Sequence, residues 1–236
     1  MAGARHVVPE SGGFDPAELA SLAKEVGHLS MFAAPTIVWR LVDHAAREGL
    51  GPELCARAFK TIVYGGAPMY LADIQRALRV MGPCFVQIYG QGETPMVGTV
   101  LARADLADTR HPRHLQRLAS IGTAQTPVRV RVTDANGRDL PRGDIGEVLV
   151  QGDSVMAGYW NNPEATAAAI RDGWLFTGDM GALDEDGYLT LKDRSKDLII
   201  SGGSNIYPRE VEEALLTAPG VLEVAVVGEH DAQRSE

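Results

Sequence analysis

Hydrophobic and polar residues alternate in two different ways along this chain, and the pattern changes near Ile121. Before it, short apolar runs such as "TIVYGG" and "CFVQIYG" alternate with segments in which apolar residues recur every three or four positions. The first pattern is typical of buried strands and the second of helices with one apolar face. In "APTIVWRLVDHAAREG" that face comprises Ile37, Leu41, Val42 and Ala45. The order strand, helix, strand predicts an α/β layer with parallel strands.

The start of the first helix is marked by its N-terminal residues. Asp15, Pro16 and Glu18 form a typical capping arrangement, so we expect the helix to begin just after Asp15. Before it, "RHVV" is interpreted as the end of a buried strand, and a later helix is predicted from about Met69 to Val80. The chain is therefore expected to open with strand-to-helix units.

From Ile121 onward, short β runs replace the helical pattern. "PVRVRVTD", "GEVLVQG" and "GYLTLKD" are such runs, and Asn136-Gly137 between the first two is a strong hairpin signal, which predicts a small antiparallel β subdomain. "YPREVEEALLTAPGV" then predicts a helix with Pro208 in its first turn, and "LEVAVVGE" a further strand. Because a strand at each end would lack a neighbour, we expect the chain to be a fragment or to miss partners.

Composition limits the classes of partner. With 236 residues, 45% of them hydrophobic, the chain can bury a core of its own. A net charge of -9 without any Lys- or Arg-rich run argues against binding to nucleic acid or anionic membranes, and favours small molecules or proteins as partners. No apolar run approaches the roughly 20 residues of a membrane span. Cys55 and Cys84 lack CxxC spacing, so a reducing, cytoplasmic location is expected; a homo-oligomer is left open.

Two glycine-broken loops follow predicted strands and are candidate ligand sites. "YGGAP" would let a ligand approach the backbone closely, although a tight strand-to-helix turn explains it at least as well. In "QIYGQGETPM", Tyr89 would stack on a base and the carboxylate of Glu93 would hold Mg2+. The alternative for this second loop is a core tyrosine beside an exposed glutamate.

Two further stretches carry charge where chemistry is expected. Asp179 in "GWLFTGD" presents a carboxylate that can accept two hydrogen bonds from a ribose diol. "LKDRSKD" puts mixed charge between two apolar runs. It is either a polar hairpin with surface ion pairs, each worth about 0–1 kcal/mol, or a water-exposed pivot between two compact units.

The combination of these stretches is more specific than any one of them. "YGGAP", "YGQGE", "GDIGEVLVQGDSVMAGYWNNPEAT", "GWLFTGD" and "DRSKDLIISGGSNIYPREVEEAL" occur in this order. In this combination the chain resembles the adenylate-forming (AMP-binding) superfamily, specifically acyl-CoA synthetases of the long-chain fatty-acid–CoA ligase type.

The resemblance implies a fold of the class α/β plus β. Residues 1–192 would be the C-terminal part of a large N-terminal domain, with a parallel sheet and helices followed by a small β-barrel subdomain at about 120–192. Residues 193–236 would begin a small α+β C-terminal domain after a hinge at Asp193.

The resemblance also implies a two-step reaction. A carboxylic acid, expected to be a fatty acid, attacks the α-phosphate of Mg-ATP to give acyl-AMP and pyrophosphate. The thiol of coenzyme A then displaces AMP to give a thioester. ATP or AMP, Mg2+ and coenzyme A are thus the implied cofactors and co-substrates.

Roles for individual residues follow from the same resemblance. The residues that would bind the nucleotide or coenzyme A are Gly66, Ala67, Pro68, Tyr89, Asp179, Arg194, Gly202 and Gly203. The first three would flank the adenine with Tyr89 stacked on it, Asp179 and Arg194 would hold the ribose, and the last two would line the pantetheine tunnel. Glu93 and Arg194 would be the catalytic residues, and Glu93 the Mg2+ ligand.

The chain departs from the family pattern in ways that bear on activity. Gly92 stands where most members have a threonine that contacts phosphate, so that contact is lost or supplied by Thr94. Neither a Ser/Thr/Gly-rich phosphate loop ending in Lys-Gly nor the C-terminal catalytic lysine of the family is found in these residues, so two electrostatic devices for adenylation are missing from them. Whether the isolated chain is an active enzyme stays open.

Alternatives to a ligase acting on coenzyme A also stay open. One is a truncated, non-catalytic nucleotide-binding remnant, and another is an adenylation domain that loads a carrier protein. A hydrolase is disfavoured because no G-x-S-x-G elbow occurs. Phe32, Trp39 and Met96 would form walls of the acid pocket, or would be ordinary core residues.

Overall fold

The structure is a computed structural model that describes residues 3–67, 69–201, 204–221 and 223–229. The chain divides into two compact units. The first comprises the chain up to Ile88 together with Leu101–Leu118, and the second comprises Tyr89–Val100 and the chain from Ala119 onward. No helix in the described ranges is both long and apolar enough to span a membrane.

The first unit is an α/β layer, as the alternating pattern predicts. Its elements are α1 (Pro16–Val26), β1 (Leu29–Ala33), α2 (Pro35–Arg47), α3 (Pro52–Ala58), β2 (Phe59–Tyr64), α4 (Leu71–Met81), β3 (from Phe85, running on to Gln91), α5 (Arg103–Ala107) and α6 (His114–Leu118). Strand β2 pairs in parallel with β1 on one side and with β3 on the other. The prediction of parallel strands is confirmed.

Local sequence explains where the helices begin and which face they bury. The Oδ1 atom of Asp15 accepts a hydrogen bond from the Ala17 backbone N–H at 2.8 Å, so α1 begins where the capping residues predict. The buried residues of α2 are Pro35, Val38, Leu41, Val42 and Ala45. Ile37 lies at the edge of that face and is only half-buried.

Two predicted strands do not form, and one observed strand is not predicted. Residues 3–9 and 223–229 form no strand, although "RHVV" and "LEVAVVGE" have the composition of one. In the described part of the chain neither segment has a pairing partner, and an extended segment becomes a strand only when a neighbour satisfies its backbone groups. Conversely, β1 forms where no strand is predicted, because it lacks the β-branched residues that mark β2, and Ala33 is its one buried residue.

The second unit is mainly antiparallel. Its elements are β4 (Thr94–Leu101), β5 (Thr123–Ala124), β6 (Val128–Thr133), β7 (Gly146–Gly152), α7 (Pro163–Ala169), β8 (Ile170–Arg171), β9 (Trp174–Leu183), β10 (Leu189–Arg194), β11 (Ile199–Ser201), β12 (Ser204–Ile206) and α8 (Pro208–Leu215). Four strands form a sheet in the order β6-β7-β9-β10, with β8 paired to β9, and β4 pairs with β5. This antiparallel arrangement occupies the region in which a small β subdomain is predicted.

The turn at Asn136-Gly137 forms as predicted. Gly137 has φ +76°, a conformation that glycine adopts without strain. The Oδ1 atom of Asp134 accepts the backbone N–H groups of Asn136 and Arg138 at 2.8 and 2.9 Å. The sequence of this turn therefore specifies its geometry locally.

The core of the second unit brings distant segments together. Buried Tyr89, Ile121, Val132, Val148 and Leu189 form one apolar cluster. Backbone hydrogen bonds of 2.8 Å join Ile121 to Leu189 and Leu189 to Gly122. The unit runs through Asp193 without a division there, so the domain boundary at Asp193 stays a prediction.

Candidate nucleotide site

Asp179 is the centre of the candidate site, and the preceding residues of β9 position it. Gly178 has φ +71° and donates its N–H to a Glu147 carboxylate oxygen at 3.0 Å. The hydroxyl of Thr177 donates to the Val148 carbonyl at 2.7 Å and accepts the Asp179 N–H at 3.1 Å. The Thr-Gly pair thus bends the strand and holds the following carboxylate in a buried position, with only 6% of Asp179 exposed.

Three side chains converge on this carboxylate. The Tyr89 hydroxyl donates to Asp179 Oδ2 at 2.5 Å, and Gln91 Nε2 donates to the same oxygen at 2.7 Å. The other oxygen, Oδ1, lies 3.4 Å from Arg194 Nε. Arg194 is opposite Asp179 in the pairing of β10 with β9. Oδ2 is therefore held by two donors, whereas the contact that the described residues provide to Oδ1 is the half-exposed side chain of Arg194.

Tyr89 contributes a hydroxyl rather than an open aromatic face in this structure. Only 8% of Tyr89 is exposed, and a Cβ atom added at Gly98 would lie 2.9 Å from its ring. Burial, reinforced by the negative charge of Asp179 and the hydrogen bond to it, raises the pKa of Tyr89 well above its usual value. The phenol therefore remains a neutral donor, and the stacking of its ring on adenine stays a prediction.

Gln91 belongs to the network but is absent from the residues singled out from sequence. Its amide also donates to the Thr177 carbonyl at 2.9 Å, so it bridges two residues of β9. A sequence signal exists, because Tyr89 and Gln91 are two positions apart in a strand and therefore point to the same face. That alternation does not by itself identify Asp179 as the partner of Gln91.

Glu93 lies in the short turn between β3 and β4 and is tied to a neighbouring loop. The Tyr159 hydroxyl donates to Glu93 Oε1 at 2.6 Å, and the Met156 N–H donates to the Glu93 carbonyl at 2.8 Å. The hydrogen bond to the Glu93 carboxylate raises the pKa of Tyr159. Tyr159, like Gln91, was missed in the sequence, although it lies inside the quoted stretch "GDIGEVLVQGDSVMAGYWNNPEAT".

The surroundings of Glu93 bear on the predicted metal site and phosphate contact. Within the described residues, no three His, Cys, Asp or Glu side chains cluster as metal ligands. Thr94 is fully buried, and its hydroxyl lies 3.4 Å from that of Ser154. The role of Thr94 as a replacement for the phosphate contact that Gly92 lacks stays a prediction.

The charged stretch "LKDRSKD" links two elements of the second unit. Asp193 accepts the Arg194 N–H at 2.8 Å and the Arg209 N–H, in the first turn of α8, at 3.3 Å. Lys192 Nζ lies 2.6 Å from a carboxylate oxygen of Glu210, also in that turn. Arg194 thus reaches back to β9, while Lys192 and Asp193 bind the helix that follows.

The remaining predicted residues are less informative. Gly66 and Ala67 lie at the exposed end of β2, where Gly66 has φ +87°; the adjacent Gly65 is buried, and an added Cβ atom would lie 2.4 Å from the Ile88 carbonyl oxygen. Pro68, Gly202 and Gly203 lie outside the described residues. The predicted acid-pocket walls Phe32, Trp39 and Met96 are 48%, 41% and 52% exposed, so they are not ordinary core residues.

Comparison with known proteins supplies the context for this site. Residues 1–160 match the family model described as AMP-binding enzyme. The chain is 36% identical over 226 residues to a medium/long-chain-fatty-acid–CoA ligase of Mycobacterium tuberculosis, covering 94% of this chain and 37% of that protein. It is 37% identical over 223 residues to a feruloyl-CoA synthase of Amycolatopsis sp., covering 94% of this chain and 43% of that protein.

A solved structure agrees with these matches. The ATP-bound structure of MatB from Rhodopseudomonas palustris is similar with a TM-score of 0.81 and 35% identity, covering 93% of this chain and 41% of that one. The chain thus spans about two-fifths of the length of the relatives that it matches.

The fold is that of the adenylate-forming enzymes, with a parallel α/β layer preceding antiparallel strands. The chain belongs to the AMP-binding enzyme family. The family predicted from the ordered motifs is therefore confirmed.

Proposed function

We propose that this chain is part of an ATP-dependent acid–thiol ligase, which activates a carboxylic acid as acyl-AMP and transfers the acyl group to coenzyme A. Membership of the AMP-binding family and similarity to a fatty-acid–CoA ligase and a feruloyl-CoA synthase support this reaction class. The acid is of the fatty or aryl type found in the names of these relatives. The observation that carries the proposal is the buried carboxylate of Asp179 held by Tyr89, Gln91 and Arg194.

This network is suited to hold a ribose. Since Oδ2 of Asp179 accepts from both Tyr89 and Gln91, the carboxylate is held at a defined angle with Oδ1 directed toward Arg194. A ribose diol offers two O–H donors to a carboxylate, and a guanidinium can donate to the sugar oxygens. Arg194 is half-exposed, so it can adjust to a sugar placed beside Oδ1.

Glu93 fits a Mg2+ ion that is bound mainly by phosphates. Mg2+ prefers oxygen ligands and is usually held by one or two carboxylates together with substrate phosphates and water. In the described part of the chain Oε1 of Glu93 is taken by Tyr159, and Oε2 accepts no hydrogen bond. When bound, the ion would neutralise charge on the phosphates; this chain supplies one carboxylate oxygen for it.

The contacts of Asp193 support its proposed role as a hinge between residues 1–192 and 193–236. A pivot must let the following segment turn between the adenylation and thioester steps. Asp193 and Lys192 hold the first turn of α8 through two polar contacts, which can exchange with water at lower cost than an apolar interface.

Titration with AMP tests the nucleotide site without requiring catalysis. We expect the chain to bind AMP, and Asp179→Asn to weaken binding about 10- to 100-fold, because hydrogen bonds to a charged group are worth roughly 1.5–3 kcal/mol. Asp144→Asn, at an exposed position in the second unit, is the matched control and should bind normally. Equal AMP affinity in both variants, or no binding by the unaltered chain, would refute the site.

The reaction requires a separate measurement. The full-length protein to which this chain belongs should release pyrophosphate from ATP only when a carboxylic acid is present, and should then form a thioester with coenzyme A. Transfer to a carrier protein instead of coenzyme A would correct the acceptor but keep the adenylation step. AMP binding without acid-dependent pyrophosphate release would support a non-catalytic remnant.

A further inference from the structure

We propose that Tyr159 is a positioning residue that orients the carboxylate of Glu93 toward the Mg2+ of bound Mg-ATP. This inference rests on the proposed function. Tyr159 lies within the residues matched by the family model, but it is not among the residues to which the family resemblance assigns a role. It follows from the hydrogen bond of 2.6 Å between the Tyr159 hydroxyl and Glu93 Oε1.

The turn that carries Glu93 is attached to the Tyr159 loop at more than one place. The Met156 N–H donates to the Glu93 carbonyl at 2.8 Å, which holds the backbone. The Tyr159 hydroxyl holds the side chain. Backbone and carboxylate are thus restrained from the same loop, and the tyrosine binds Oε1 rather than Oε2.

Hydrogen bonds to residues of α7 and its N-cap in turn fix the position of Tyr159. Its backbone N–H donates to Thr166 Oγ1 at 2.9 Å, and the Thr166 hydroxyl donates to the Asn162 carbonyl at 2.8 Å. Asn162 in turn caps α7 through the Ala165 N–H at 3.0 Å. Gly158 allows this approach, because an added Cβ atom there would lie 2.7 Å from the Thr166 methyl group.

This series of contacts has a consequence for metal binding. A glutamate in a turn has three rotatable side-chain bonds, and a lone carboxylate must be ordered before it can bind a cation. A donor that binds one carboxylate oxygen and leaves the other for the metal orders the glutamate side chain. Removal of such supporting hydrogen bonds typically lowers metal affinity 10- to 100-fold. Tyr159 is 39% exposed, so we expect an effect near the lower limit.

The test measures the Mg2+ enhancement, defined as the ratio of ATP dissociation constants without and with saturating Mg2+. We expect Tyr159→Phe to lower this ratio about tenfold and to leave the affinity for AMP, measured without metal, unchanged. Glu93→Gln should abolish the enhancement. Trp160→Phe is the control, since Trp160 is adjacent in sequence and 91% exposed, and should behave as the unaltered chain.

A second variant guards against an effect of misfolding. Thr166→Val removes the acceptor that seats the Tyr159 backbone while retaining the tyrosine hydroxyl, and it should lower the enhancement in the same direction. Tyr159→Phe and Thr166→Val should both unfold cooperatively, and their far-UV circular dichroism spectra at the assay temperature should match that of Trp160→Phe.

The outcomes separate this inference from the proposed function. If the unaltered chain binds AMP and Mg2+ tightens ATP, but Tyr159→Phe shows the same enhancement as Trp160→Phe, the inference is overturned and the nucleotide site stands. If Mg2+ does not tighten ATP in the unaltered chain, the metal role of Glu93 and this inference are both wrong. If AMP does not bind, the proposed function fails and the inference fails with it.

Discussion

The substitution Tyr89→Phe separates the packing of the Tyr89 ring from the hydrogen bond that its hydroxyl makes. The ring lies in the apolar cluster with Ile121, Val148 and Leu189, and phenylalanine keeps that packing. Only the hydroxyl is removed, and with it the hydrogen bond of 2.5 Å to Asp179 Oδ2. Gln91 Nε2 then remains as the donor that the described residues provide to this oxygen.

The magnitude follows from the burial of the acceptor. Asp179 is 6% exposed, so water replaces the lost donor poorly. A hydrogen bond to a charged group contributes roughly 1.5–3 kcal/mol, and each kcal/mol shifts the unfolding midpoint of a protein of this size by roughly 2–4 °C. We therefore expect the midpoint to fall by several degrees. The less restrained carboxylate should also bind AMP about tenfold more weakly, which corresponds to about 1.4 kcal/mol.

The assay combines AMP titration with thermal unfolding. Tyr64→Phe is a matched control, because Tyr64 is also buried and its hydroxyl donates to Gln87 at 3.1 Å. It should lower stability and leave AMP affinity intact. If Tyr89→Phe lowers stability but not AMP affinity, the network is purely structural and does not orient a ribose-binding carboxylate.

Two further predictions concern the link to α8 and the thiols. Asp193→Ala removes an acceptor from the first turn of α8, so the backbone amides from Arg209 to Leu215 should exchange with solvent deuterium several times faster, in line with a capping loss of about 0.5–2 kcal/mol. Unchanged exchange would show that the contact does not stabilise the helix. Cys55 and Cys84 are 3% and 4% exposed, and burial raises the pKa of Cys84 to about 12. We therefore expect that neither thiol reacts with an aromatic disulfide reagent at pH 8 until denaturant is added. Rapid reaction in buffer would contradict their burial.

Much of the fold could be predicted because it depends on short-range patterns. The helix start after Asp15 and the turn at Asn136-Gly137 are specified by residues adjacent in sequence. Strand β1, which was not predicted, and the two predicted strands that do not form show that short-range patterns do not determine every strand. Whether an extended segment becomes a strand depends on the presence of a neighbouring strand, which its own residues do not encode.

In the candidate site, too, some features depend on local sequence and others on contacts between distant segments. From its motifs, the sequence by itself determined the family and the predicted functional residues Asp179, Arg194 and Glu93. Only the tertiary structure showed that Gln91 holds the carboxylate of Asp179 and Tyr159 that of Glu93. Tyr89 and Asp179 are 90 residues apart, and the pairing of β9 with β7 contains a register shift. A shift of one residue turns a strand side chain to the opposite face of the sheet. The donors that face a buried carboxylate are therefore decided by strand register and loop packing, which are properties of the folded chain as a whole.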